Sequence, residues 1–200
     1  ASGVVPGSAV AVALPNGPDM ITTMIGIWLA GGVFVPVNPR SPDAEVERVV
    51  AATDPAVLVR EDGTTTRTAT RTYDAGVAFA TWTSGTTGAP KAILHTHAAY
   101  FELLDRVLGP LRSSQDRSEP KRPPSPNLIP VSLTLNAGIY NSLFGMRAGA
   151  ALVIMDRFAP SEFAELVRRF EIRSTVLPPA AMAMLVDDDT VTDVAPLKYV

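Results

Sequence analysis

The residues best suited to chemistry lie in one stretch, Thr81 to His97, which reads TWTSGTTGAPKAILHTH. Gly85 and Gly88 stand among the hydroxyl side chains of Thr83, Ser84, Thr86 and Thr87, and Pro90 and Lys91 close the run. Glycine lets a backbone approach a ligand closely, consecutive N–H groups can line an anion-binding concavity, and hydroxyls and an ammonium add further donors. That set of groups suits phosphate. Spacing separates it from two common phosphate loops. The Walker pattern, G-x-x-x-x-G-K-[ST], sets its Lys directly after the second glycine, whereas here Ala89 and Pro90 intervene and Ala92 follows Lys91. The dinucleotide fingerprint fails because the stretch has no Gly-x-Gly. A Gly/Thr-rich connector that binds nothing remains the plain alternative.

The flanks must hold such a loop between ordered elements. Val77 to Trp82 reads as a buried strand entering it and Ala92 to Leu94 as a strand leaving it, so the loop is a hairpin-like connection. His97 comes near the start of a helix reaching Leu108. His95 and His97 also read as partly buried or helix-start residues bonded to backbone.

Upstream, Ser8 to Leu14 is a short apolar strand stopped by Pro15-Asn16-Gly17-Pro18. Asp19 opens a helix to Ala30, with Met20, Met24, Ile27 and Trp28 on one side, ended by Gly31-Gly32. Val33 to Val37 is a second strand. Ser41 as cap and Pro42 as first residue open another helix, and Ala56 to Val59 is a third strand. Alternating strand and helix predicts an α/β layering with a largely parallel sheet and flanking helices. Glu61 to Arg71, EDGTTTRTATR, has no period that buries a face and reads as an exposed loop, although Arg67 and Arg71 could meet an anion.

Gly109 to Pro126 mixes charge, Ser and Pro and reads as a mobile linker, dividing strand–helix units over 1–60 and the 81–97 loop from a second strand–helix region over 127–200. In that region Asn127 to Val131 and Ala151 to Met155 are strands around a helix from Asn136. Ser161 caps an amphipathic helix carrying Phe163, Leu166, Val167 and Phe170, and Ser174 to Leu177 is a strand. Pro178-Pro179 leads a short helix to Val186, and a strand begins at Leu197. Asp187-Asp188-Asp189 lacks the glycine and distal Glu of an EF-hand and reads as a solvated helix end.

Composition excludes several classes. A formal net charge of −3 leaves no footprint for nucleic acid, and no basic stripe appears. The absence of cysteine removes disulfides, thiol catalysis and zinc–thiolate sites, and is compatible with a cytoplasmic setting. The charge-free window from Met20 to Pro39 has membrane-span length, but Gly31-Gly32, Pro36 and a β-branched second half make it helix then strand. Ala1 is not an initiator Met and no signal pattern follows, so the start reads as internal.

Thr83-Ser84-Gly85-Thr86-Thr87-Gly88-Ala89-Pro90-Lys91-Ala92 closely resembles the signature loop of the adenylate-forming superfamily, which includes acyl- and aryl-CoA synthetases, adenylation domains of peptide synthetases and firefly-type luciferases. Leu29-Ala30-Gly31-Gly32-Val33-Phe34-Val35-Pro36-Val37-Asn38-Pro39 resembles a second, structural motif of the same family. The resemblance implies part of the large N-terminal domain of an enzyme that joins a carboxylate to ATP, releases pyrophosphate, and passes the acyl group to a thiol such as CoA. It implies that Thr83, Ser84, Thr86 and Thr87 with the loop amides hold the β- and γ-phosphates, that Gly85, Gly88 and Pro90 shape the loop, and that Lys91 adds charge, with Mg²⁺ sharing the phosphates. His97 and Asn136 are its substrate-side candidates. The expected partner is a small carboxylate of acyl or fatty-acid type. A homodimer is compatible with the sequence. A carrier-protein acceptor, or a nucleotide-binding pseudo-enzyme, are the alternatives.

Two departures matter. Many acyl-CoA synthetases have an aromatic residue and His after the substrate-side Pro, whereas this chain has Val131-Ser132-Leu133-Thr134-Leu135-Asn136. The connection between Pro36 and Thr83 is short for the family. The family's aromatic-Gly-x-Thr-Glu motif, ribose-binding Asp and C-terminal Lys have no counterpart before Val200, so these residues alone are expected to be inactive.

Overall fold

The computed structural model describes residues 3–83, 91–113 and 124–200. It divides into two compact units, Ala1–Glu102 and Leu103–Val200.

The first unit is built on β1 (Ala9–Ala13), α1 (Pro18–Leu29), β2 (Val33–Pro36), α2 (Asp43–Thr53), β3 (Val57–Arg60), β4 (Gly63–Thr66), β5 (Val77–Thr83), β6 (Lys91–Thr96) and the start of α3 (His97–Ser113). Its sheet runs β4-β3-β1-β2-β5-β6. The four inner strands are parallel, and β4 and β6 are antiparallel edges. Every residue of β1, AVAVA, is buried, as an inner parallel strand covered on both faces requires. Small side chains there let α2 close in through Val46 and Val50 against Ala11, Ala13, Val37 and Leu58. Met20, Met24 and Ile27 of α1 are buried. The predicted largely parallel α/β sheet with flanking helices is the observed architecture.

Local departures from the predicted elements have physical causes. Residues of the predicted loop Glu61 to Arg71 form β4, which pairs with β3 through Arg60 and Gly63 around a two-residue turn. All of β4 is exposed, so no burial period marks it, and β-branched threonines plus backbone pairing are what favour the strand. Pro42 takes the cap position of α2, with Asp43 first in the helix. Pro160 rather than Ser161 begins α5, in keeping with the fixed proline φ at a helix's first position.

The second unit holds the end of α3, β7 (Asn127–Ile129), α4 (Asn136–Ala148), β8 (Leu152–Ile154), α5 (Pro160–Arg169) and α6 (Pro179–Val186). β7 and β8 are parallel. The strands predicted at Ser174 and Leu197 reduce to the isolated bridges Leu128↔Thr175 and Ser174↔Tyr199. Leu128, Val153, Met155, Phe163, Val167 and Ile172 form the core. α3 continues through Pro110 to Ser113, so the first residues of the linker predicted from Gly109 are helical. Residues 114–123 of that stretch lie outside the described residues.

α4 enters the second unit in close contact with the turn before it. A Cβ on Gly138 would lie 2.1 Å from the Ser132 carbonyl oxygen and 2.9 Å from Leu133 Cα, both backbone atoms that cannot step aside. Gly26, in α1, has open space where its Cβ would be. Gly138→Ala is therefore expected to lower unfolding free energy by at least about 2 kcal/mol. Gly26→Ala is expected to raise it by about 0.5–1 kcal/mol through helix propensity. Urea denaturation of the two variants checks the opposite signs.

Candidate functional site

The predicted loop stretch is carried by the β5–β6 hairpin. β5, VAFATWT, is anchored by Ala78, Phe79 and Ala80, all at most 2% exposed, and Phe79 pairs with Phe34 of β2. β6 runs back antiparallel in the register Phe79↔His95, Ala80↔Leu94, Thr81↔Ile93, Trp82↔Ala92 and Thr83↔Lys91. The backbones of Thr83 and Lys91 are thus brought face to face, at the two ends of the predicted phosphate-binding segment. Ser84, Gly85, Thr86, Thr87, Gly88 and Pro90 lie outside the described residues.

The hairpin is pinned at its other end. Val77 pairs with Thr96 and Phe79 with His95, so Ala78 is an extra residue in β5, a bulge. The Trp28 indole N–H donates to the Ala78 carbonyl at 2.6 Å. The same indole meets the His97 ring edge-on at 5.2 Å, and the His97 N–H donates to the Gly76 carbonyl at 2.9 Å. The Thr96 hydroxyl accepts the Ala99 N–H, which caps α3 as its chain leaves the hairpin. His97 therefore takes the helix-start position with a backbone bond, one of the two readings open in the sequence.

His95 sits four residue pairs behind the Thr83–Lys91 pair. Its Nε2 and the Thr81 Oγ1 are hydrogen-bonded at 2.9 Å. The ring stacks on Phe79, centroids 4.4 Å apart and planes within 15°, with Tyr100 edge-on at 5.7 Å. Sequence reading missed this cluster. Its signal was available, since hairpin residues equidistant from the Thr83/Lys91 pair face one another, and Phe79 and His95 are such a pair. Burial pulls the pKa of both His95 and His97 below the ordinary histidine value.

Other candidate groups have structural partners. The Arg71 guanidinium donates to the Ala52 carbonyl at 2.8 Å and lies over the Tyr73 ring. Asp54 Oδ2 accepts from the Thr70 N–H, the Thr70 hydroxyl and the Arg71 N–H, which holds its carboxyl below the usual carboxylate range. This clasp ties the segment after β4 to the end of α2 and leaves Arg71 committed. Asp188 accepts from the backbone and hydroxyl of Thr190, a turn closure at a solvated helix end. Asn136 opens α4, exposed, in the second unit. There Asn127 donates to the Asn141 carbonyl, Asn141 to that of Ala137 and Ser142 to that of Gly138. Among the described residues no group of three or more His, Asp or Glu could hold a metal ion, and no helix is long and apolar enough to cross a membrane.

The AMP-binding enzyme family matches residues 1–76 and 67–200, and the chain belongs to that family. It is 30% identical over 183 residues to CymA of Salinispora arenicola, a probable non-canonical nonribosomal peptide synthetase, over 88% of this chain and 2% of that protein. The pyochelin synthetase PchE of Pseudomonas aeruginosa is 26% identical over 205 residues, 92% of this chain and 14% of the other. The inhibitor-bound N-terminal domain of FACL13 from Mycobacterium tuberculosis superposes with a TM-score of 0.76 at 20% identity, over 98% of this chain and 56% of that one. O-succinylbenzoate coenzyme A synthetase (MenE) of Bacillus subtilis, in complex with AMP, gives 0.73 at 19% identity, over 92% and 52%. The chain thus spans a small part of these curated synthetases and about half of these solved structures. Its fold is that of the N-terminal part of adenylate-forming enzymes.

Because the folded state holds both imidazoles below their ordinary value, the unfolded chain binds more protons in the acid range. Stability from these groups is complete above the unfolded value, about 6.5, and falls as pH drops through it towards the folded pKa. The chain has only two histidines, so two Hε1 signals in proton NMR are expected, both with titration midpoints below about 6.5. His95→Phe is expected to flatten the decline of the thermal midpoint between about pH 7.5 and 5.5 relative to wild type.

Proposed function

We propose that the protein activates a carboxylic acid of acyl or fatty-acid type with ATP. The carboxylate oxygen attacks the α-phosphorus, the bond to pyrophosphate breaks, and the acyl-adenylate then passes its acyl group to the thiol of CoA with release of AMP. The observation that carries this reading is the join of two facts: the family match spans the chain, and the hairpin register sets Thr83 opposite Lys91 at the ends of TSGTTGAPK. Such chemistry is chiefly positioning and charge stabilisation.

In this reading Thr83, Ser84, Thr86, Thr87 and the loop amides hold the β- and γ-phosphates. Gly85, Gly88 and Pro90 give the loop its shape, and the Lys91 ammonium offsets phosphate charge. Mg²⁺ supplies further neutralisation of the phosphates. His97 and Asn136 are the substrate-side candidates of this reading. A cytoplasmic setting suits an enzyme drawing on ATP and CoA.

A second acceptor is favoured by the relatives. CymA is a probable nonribosomal peptide synthetase, and ebony of Drosophila melanogaster, 23% identical over 207 residues, is a β-alanyl-bioamine nonribosomal peptide synthetase. Both support an adenylation step that delivers to a thiol on a carrier protein.

The test is carboxylate-dependent exchange of labelled pyrophosphate into ATP by the full-length protein. Exchange is expected, and Lys91→Ala is expected to reduce it by about 10- to 100-fold. Nucleotide binding without exchange for any carboxylate supplied would reduce the protein to a nucleotide-binding module. Thioester formation on free CoA, against a pantetheinylated carrier, separates the acceptors.

A further inference from the structure

β6 is an edge strand with β5 as its one neighbour in the sheet. Its described side chains give it little hold on the core: Ala92 and Thr96 are exposed, and Ile93 and Leu94 are 43% and 45% exposed. His95 is the exception. It stacks on Phe79, meets Tyr100 edge-on, and bonds the Thr81 hydroxyl, which belongs to the neighbouring strand at the next position on the same face. A backbone ladder by itself tolerates slippage, and a slip of one residue turns every side chain to the opposite face. In an edge strand whose other described side chains are exposed, a cross-strand polar bond at a stacked ring favours one pairing of residues over its slipped alternatives.

We propose that His95 and Thr81 are a positioning pair for the phosphate-binding loop, their cross-strand hydrogen bond holding the hairpin in the register that sets Thr83 opposite Lys91. The proposal rests on the nucleotide-binding reading of that loop. Thr81 precedes Thr83 by two residues, about 7 Å along the strand, and His95 follows Lys91 by four. The pair therefore lies behind the loop's ends, where it acts on phosphate through backbone placement and without touching the nucleotide.

Thr81→Val removes the hydroxyl at nearly constant volume, and His95→Phe keeps the stack on Phe79 but cannot bond Thr81. In the full-length protein each is expected to lower kcat/KM for ATP in pyrophosphate exchange by about 3- to 10-fold, the loss of one partly buried hydrogen bond. The carboxylate KM is expected to stay unchanged. The double variant is expected to be no worse than the weaker single, since both remove one interaction, and Thr81→Ser is expected to recover to within about twofold of wild type. Lowered thermal midpoints with an unchanged KM for ATP, or additive losses, would overturn the pairing while leaving the adenylation reading intact. If wild type catalyses no exchange, the adenylation reading fails first, and MgATP dissociation constants for wild type, Thr81→Val and Thr81→Ser decide the pair. Equal constants, or no binding by wild type, overturn it.

Discussion

The first unit turns on one extra residue. Ala78 bulges from β5, and its carbonyl accepts the indole N–H of Trp28 from α1 at 2.6 Å. The bulge offsets the pairing of β5 and β6 by one residue between Val77 and Phe79. The remaining contacts of the hairpin follow in order: the His97 ring against Trp28, His95 on Phe79, and Thr83 across from Lys91.

This arrangement explains a division of labour in the sequence. Residues with the strongest chemical character, the glycines, threonines and Lys91 of the signature stretch, are separate from those that place them. Trp28, Phe79, Thr81 and His95 have ordinary roles in packing and hydrogen bonding, but together they fix the hairpin. The second unit repeats the principle on a smaller scale. Gly138 allows α4 to start against the Ser132 carbonyl, and Asn141 and Ser142 turn their polar groups to backbone acceptors, keeping the helix's buried polar atoms satisfied.

Much of this was legible in the chain. Alternating apolar runs and capped helices disclosed the α/β layering, because burial on both faces of β1 and β2 leaves an unbroken apolar signature. Residue type and spacing in the loop stretch carried the family resemblance, which the family match supports. What stayed hidden shares one cause: it depends on pairing rather than on periodicity. β4 is wholly exposed and held by backbone bonds to β3, so no apolar pattern betrays it. The Ala78 bulge shifts a register by one residue that no local propensity records. His95 and Thr81 become partners only once the strands are laid antiparallel, and Arg71, which looked free to meet an anion, is committed to the Ala52 carbonyl. The predicted linker from Gly109 began too early because Pro and Ser lowered its helical appearance, although α3 carries Pro110 within it.

Membership of the AMP-binding enzyme family gives the hairpin its proposed task, and the central claim is that nucleotide acts on the hairpin through its register. Amide hydrogen exchange of the full-length protein with and without MgATP tests this most directly. Added MgATP is expected to slow exchange in residues 84–90 and in the paired amides of β5 and β6 from Thr81 to His95, with little change in β3 and β4 at the far edge of the sheet. Protection that spreads evenly over the sheet, or none in the hairpin despite bound nucleotide, would contradict the account.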